Sequence, residues 1–301
     1  MSDARHALLA SRGVLSLSGP ESLHFLNNLV TSDLEPLAPG SMGFAALLSP
    51  QGKILFDFLA LRTQDGFLLD VDRESAAALA KRLTFYRLRA KVEIADLSDR
   101  MAVGVIWHDD GSTPENVTAG GVMAARDPRL PALGLRLFGA AEAVAGVPAA
   151  CGAGAATEAD WQAHRIRHGV PQSGADFALG DAFPHDVDMD QLAGVSFRKG
   201  CYVGQEIVAR MEHRSTARRR IIQVAADAAL PEAGTPVLAG EQQLGTLGSS
   251  TANQGLALVR LDKVKAALDN GGQITCGGLP IRLHLPAFAR FGWPDGGAAE
   301  A

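Results

Sequence analysis

One stretch of the chain gathers groups that can do chemistry: "FRKGCYVGQEIVARMEHR", residues 197–214. Cys201 stands between Gly200 and Gly204, with Arg198 and Lys199 just before it. Glycines here permit positive φ and let a backbone or ligand approach closely. Ile207, Val208 and Met211 recur at helical spacing, which predicts a helix starting near Gly204, with Gln205, Glu206, Arg210 and His213 on its other faces. Cys201 then lies in the turn ahead of a helix N-terminus. Unpaired N–H groups and the helix dipole favour a negative charge there, and Lys199 and Arg198 add positive potential. Such a setting lowers a thiol's pKa and favours the thiolate, the form that serves as nucleophile, redox group or metal ligand. The same residues allow a plainer reading, because cysteine is among the most buried residue types and packs as a small apolar group.

The other motifs are exclusions. Cys151, Cys201 and Cys276 form no close pair, so neither a structural zinc site nor a disulfide framework is expected. No HExxH zinc motif, GxxxxGK[ST] phosphate loop or GxSxG nucleophile elbow occurs. A cysteine hydrolase needs a partner histidine; His164, His168, His185 and His213 are available, but no motif marks one out. Between 198 and 220 seven Lys/Arg face two Glu, ending in "RSTARRR". That run suits an anionic ligand such as a folate tail, a nucleotide or RNA, or else a solvated linker. The net charge of −5 supplies no global attraction for nucleic acid, so direct RNA binding through 198–220 stands as an alternative only.

Several elements must position this stretch. "SGPESLHFLNNLV" places Glu21 three residues after Ser18, a capping box opening a short helix that buries Leu23, Leu26, Leu29 and Val30. Three strands, Phe44–Leu48, Ile54–Leu61 and Phe67–Val71, are separated by "SPQGK" and "TQDG" turns, giving an antiparallel meander. "ESAAALAKRLTFYRL" reads as a helix with leucines and aromatics on one side, and "KVEIADLS" as a strand. From about 108 to 160 the sequence reads as loops, with Cys151 an inert residue among them. "WQAHRIRHG" is helical, with Trp161, Ile166 and His164 inward. Beyond 218, six short glycine-punctuated strands with one brief helix predict a small β-barrel or sandwich, with Cys276 in its core or rim.

With 47% hydrophobic and 20% charged residues the composition is that of a globular protein. The fold class is therefore α+β: an α/β region over 1–217, a barrel over 218–290 and a flexible tail over 291–301. No run of the ~18–20 apolar residues needed to cross a bilayer occurs, so no membrane partner is expected. The first twenty residues lack a signal-peptide layout, which leaves the cytoplasm as the expected compartment.

"KGCYVGQE" at 199–206 resembles the K-G-C-Y-x-G-Q-E signature of the YgfZ-type folate-binding proteins, factors in iron–sulfur cluster assembly and tRNA modification related to the glycine cleavage aminomethyltransferase. "LNNLVTSDL", "LLSPQGKILFDF", "RIRHGVPQSGAD", "FPHDVDMDQLAGVSFRKG" and "QLGTLGSSTANQGLALVRLD" resemble further parts of that family, over roughly residues 8–288. The resemblance implies an aminomethyltransferase-like body of two α/β lobes around a central cleft, with a C-terminal barrel. It also implies a tetrahydrofolate-type ligand, iron–sulfur client or assembly proteins as partners, and Cys201 as the functional thiol. Lys199, Tyr202, Gln205 and Glu206 would be its neighbours, with Arg165 and Arg210 also toward the folate. No stably bound metal is implied, because one cysteine cannot hold a four-iron cluster; transient ligation remains open. Where the related transferases carry a pterin-binding glutamate, this chain has Arg167. Their catalytic aspartate has no clear equivalent among Asp70, Asp72 and Glu74. An accessory factor is therefore favoured over a folate-dependent aminomethyltransferase, which stays as the enzyme alternative.

Overall fold

The computed structural model describes residues 4–112, 114, 120–213 and 218–294. The chain divides into two compact units: residues 1–161 with 192–205, and residues 162–191 with 206–301.

The first unit contains two five-stranded sheets. Its elements begin with β1 (Ala4–Leu8), β2 (Arg12–Ser18), α1 (Ser22–Asn27), β3 (Met42–Leu48), β4 (Ile54–Arg62), β5 (Gly66–Asp72), α2 (Ala76–Arg87) and β6 (Glu93–Asp96). One sheet runs β3-β4-β5-β2-β6, antiparallel throughout. The β3–β4–β5 meander has the registers its alternating apolar residues demand, with Phe58 opposite Val71 and Ala60 opposite Leu69. Its inner face buries Leu15, Leu17, Phe58, Phe67 and Leu69 with Leu26 of α1 and Leu79 and Leu83 of α2. Two expectations need correction. Ser18 ends β2 and α1 starts only at Ser22; the Glu21 carboxylate accepts a hydrogen bond from the Lys91 amide, so no capping box forms. In α2 the leucines face inward but Phe85 is 73% exposed.

Three strands of the second sheet and its helix come from the 108–160 region that reads as loops. The sheet runs β10-β1-β7-β9-β8, using β7 (Ala102–His108), β8 (Val122–Arg126), β9 (Leu135–Gly139) and β10 (Gly154–Ala155), and it packs α3 (Ala141–Cys151) through Val144 and Val147. α3 is built from alanine and glycine with Pro148 inside it, and β8 is an edge strand, "VMAAR". Neither carries the apolar period that marks an element in sequence.

The second unit takes in the last residues of α4 (Glu158–Arg167) and almost all of α5 (Gln205–His213). It then forms β11 (Arg219–Ala226), β12 (Pro236–Ala239), β13 (Gln242–Thr251), β14 (Gln254–Arg260), α6 (Leu261–Asp269), β15 (Ile274–Cys276) and β16 (Leu279–His284). The six strands close in the order β11-β14-β13-β12-β15-β16. Fold class and barrel thus agree with the sequence. Segment 162–191 clusters with the barrel because charged side chains tie it there: Arg165 to Asp176 and Ser249, Arg219 to Asp186, and Arg220 to Asp190. Phe291 and Trp293, at the start of the expected flexible tail, pack on the barrel core; 295–301 lie outside the described residues. No helix among the described residues is long and apolar enough to cross a membrane.

Candidate functional site

Cys201 is exposed, on a loop that enters α5. The loop is held at several points within the first unit. The Thr31 hydroxyl donates to the Gly194 carbonyl at 2.6 Å, and the Ser196 amide donates to the Thr31 carbonyl at 2.9 Å. Lys199 then reaches back to the end of α1. Its ammonium donates to the carbonyls of Asn27, Val30 (2.9 Å) and Ser32 (2.7 Å), with the Asn27 side-chain oxygen at 3.2 Å. A helix C-terminus leaves carbonyls without intrahelical partners, and a cation placed there satisfies them and complements the dipole. On the far side of the thiol, Gly204 has φ +82°, and a Cβ there would lie 2.6 Å from the Ser49 carbonyl oxygen. Only glycine fits this approach to the β3–β4 turn. Tyr202 turns inward, 8% exposed, with the Lys199 ammonium 5.6 Å from its ring centroid.

This geometry corrects three expected roles. Burial lowers the Lys199 pKa to about 8 against the opposing charges of Asp33 and Glu35, and its protons are taken by protein oxygens, so it anchors the loop and is not available to a ligand anion. Burial pushes the Tyr202 phenol up to about 12, and the ring offers no open face for stacking on a pterin. Arg165 is 2% exposed: its guanidinium pairs with Asp176 at 2.7 Å and bonds to the Val170 carbonyl and the Ser249 hydroxyl inside the second unit. Gln205 is half-buried at the start of α5, while Glu206 and Arg210 are exposed and paired with each other at 2.8 Å. Expected folate contacts Lys199, Tyr202 and Arg165 are thus committed within the protein, and those residues do not form a folate cradle.

Of the other cysteines, Cys276 is buried in the barrel, where burial raises its pKa, and Cys151 is exposed at the end of α3. Three of the seven cations of the basic run are in ion pairs among the described residues, the first being Arg210 with Glu206. Arg219 pairs with Asp186 at 2.6 Å, and the buried Arg220 holds both Asp190 oxygens. Positions 214–217 lie outside the described residues. His185, Asp190 and Glu212 bring one donor atom each within 4.8 Å of one another, but Arg220 already occupies Asp190 and His185 bonds Glu212 at 3.0 Å.

The sequence reading missed a charged cluster joining the two sheets of the first unit. Asp70, fully buried, accepts from Arg12 Nε and lies 3.5 Å from Arg136. Arg136 continues to Asp127 at 3.4 Å, and Arg129 holds Asp127 bidentately at 3.0 and 2.7 Å. Burial alone would raise the Asp127 pKa, but the Arg129 and Arg136 charges override it and the carboxyl is held low. Asp57 of β4 adds its charge to this cluster through Arg129. Asp72 accepts the Ser75 amide at the start of α2, and Glu74 is exposed. No sequence motif signals the cluster, because its members come from β2, β5, β9 and the turn after β8.

Comparison with known proteins accords with this architecture. Residues 9–107 match the GCVT N-terminal domain, and residues 218–291 match the CAF17 C-terminal beta-barrel domain. The human mitochondrial iron–sulfur cluster assembly factor IBA57 is 33% identical over 286 residues, 86% of this chain and 78% of that protein. The homologue from Mycosarcoma maydis is 33% identical over 229 residues, 72% of this chain and 56% of its own length, so the chain spans little more than half of that relative. Among solved structures, aminomethyltransferase T of the glycine cleavage system from Bartonella henselae superposes with a TM-score of 0.73 at 16% identity, over 96% of this chain and 87% of that one. At that identity the likeness shows the fold. The YgfZ resemblance is thereby moved to the related IBA57 branch. The expected cytoplasmic location is overturned by these relatives, which are named as mitochondrial.

Proposed function

Because the chain belongs to the IBA57 family of iron–sulfur cluster assembly factors, we propose that it assists assembly or repair of iron–sulfur proteins through Cys201. One observation carries the reading: an exposed thiol on a loop fixed before it by Lys199 and after it by Gly204. A fixed, solvent-facing sulfur is presented to a partner without the ordering cost of a free loop. One cysteine supplies one of the four protein ligands that a cluster ordinarily takes, so the others come from a partner, a second copy or glutathione. The cluster is cargo, held in passing. The relatives' mitochondrial designation sets the compartment in which to look for clients.

The aminomethyltransferase-like fold makes a tetrahydrofolate the small-molecule class to test. Gln205, Glu206 and Arg210 are the remaining named contacts, and no step of the proposal passes through folate. Aminomethyl transfer needs a carboxylate placed to move protons, and Asp70 is locked between two arginines. The RNA alternative loses Arg219 and Arg220 to aspartates.

The test is genetic. In cells lacking the chain, the activity of four-iron enzymes, tRNA-thiolating enzymes among them, is restored by wild type and by Cys151→Ser but not by Cys201→Ser. Rescue by Cys201→Ser at the wild-type level contradicts the proposal.

A further inference from the structure

The end of α2 breaks the usual rule that large apolar side chains turn inward. Phe85 is 73% exposed and Leu88, just past the helix, is 87% exposed. Leu88 also has φ +47° and ψ −104°, a left-handed conformation that a bulky residue adopts at a cost of order 1–3 kcal/mol. Nothing buried is gained in return. Beside it lies a cavity of about 280 Å³ between α1 and α2, with Phe25, Leu29, Tyr86 and Leu88 among its walls and His24 and Asn28 at its edge. That is below the roughly 300–1,000 Å³ of small-molecule pockets and suits one or two protein side chains.

Arg87, half-buried, and Arg89, exposed, line the cavity; Lys81, Arg82 and Lys91 are exposed and close by in sequence. The Arg87 guanidinium contacts the Val92 carbonyl at 3.4 Å, and none of the five cations forms an ion pair among the described residues. Glu21, whose carboxylate takes the Lys91 amide, is in the cavity wall, and Glu93 is exposed close by in sequence. Two arginines against one glutamate in the cavity wall, with three further cations close by in sequence, leave an excess of positive charge here on a chain of net charge −5.

We propose that this α1–α2 groove docks an acidic protein segment that inserts an apolar side chain between Leu29, Tyr86 and Leu88. A protein segment fits better than nucleic acid, because the walls form a concave socket and the net negative chain repels a long polyanion beyond the patch. A lipid surface would leave the socket behind Leu88 unfilled. α1 connects the groove to the anchor of the thiol loop. α1 lines the socket with His24 and Phe25, and about one helical turn further, ~5 Å, its end holds the Lys199 anchor. The inference deepens the assembly-factor reading and rests on it only for the identity of the partner.

Fluorescence anisotropy tests it without any cluster. The probes are short labelled peptides of Asp and Glu around a central Leu, Phe or Trp, their Asn/Gln counterparts, an oligouridine, and vesicles containing phosphatidylserine. Saturable binding of an acidic peptide is expected, about tenfold weaker for its neutral counterpart and for the variant carrying Arg87→Ala and Arg89→Ala. Leu88→Gly should lose affinity to a similar degree while keeping or raising the melting temperature, because glycine tolerates the positive φ. A merely structural Leu88 would show the reverse. Cys201→Ser should bind as wild type. Absence of saturable peptide binding, equal binding of the neutral peptides, or tighter binding of oligouridine or vesicles overturns the proposal. Failure here beside Cys201-dependent rescue in cells removes the groove alone; binding here without such rescue removes the cluster role alone.

Discussion

Lys199 is the residue on which the thiol's presentation depends. Its ammonium is taken partly out of water to hold the carbonyls of Asn27, Val30 and Ser32, and desolvation lowers its pKa to about 8. Between about pH 8 and the ordinary lysine value of 10.5 the unfolded chain keeps a proton that the folded chain has lost, so this group makes stability rise with pH across that window. Tyr202 acts oppositely. Its phenol stays protonated to about 12 when folded but ionises near 10.0 when unfolded, so it makes stability fall above pH 10. Lys199→Met should remove the rising limb between pH 8 and 10 in urea-unfolding profiles. At pH 7 it should cost about 1–3 kcal/mol through the carbonyls left without a donor. A variant retaining the wild-type profile would show that Lys199 does not anchor the loop. Cys201 was legible in the sequence because its neighbours spell a motif. The work of Lys199 was not, since its oxygen partner Asn27 lies 172 positions earlier in the chain.

At the scale of elements, the two sheets of the first unit meet through buried charge as well as apolar packing. Asp70 of β5 joins Arg12 of β2 to Arg136 of β9. Replacing one member of such a set leaves the others charged and unpaired, a penalty of about 3–5 kcal/mol in known cases. Asp70→Leu is therefore expected to lower stability by that order in urea unfolding, although leucine adds apolar bulk to a fully buried position. A loss under about 1 kcal/mol would mean that the arginines find other partners. The β3–β4–β5 meander and the six barrel strands were legible because alternating apolar residues and glycine turns mark them. The second sheet was not: β8 is a short, mostly unburied edge strand, β10 is two residues long, and α3 is rich in alanine, so none leaves a periodic apolar signal. The charged cluster was equally hidden, because it is made by the pairing of that unseen sheet with the visible one.

For the whole molecule, the arrangement separates a thiol that is displayed from charges that are used internally. Arg165, Arg219 and Arg220, which in sequence looked ready for a folate tail or RNA, bind Asp176, Asp186 and Asp190 within the second unit. Sequence composition counts cations but does not reveal which of them fold against an acid. Cys201 remains exposed and Cys276 buried, and Cys151 supplies the internal comparison because it too is exposed but sits at the end of α3. The most direct measurement is therefore anaerobic reconstitution with ferrous and ferric iron, sulfide and reduced glutathione, followed by iron and sulfide analysis and the circular dichroism of the cluster bands. Wild type and Cys151→Ser should take up equal amounts of labile cluster and Cys201→Ser none. Equal uptake by Cys201→Ser, or loss of uptake in Cys151→Ser, would contradict the assignment of Cys201 as the thiol through which this protein handles clusters.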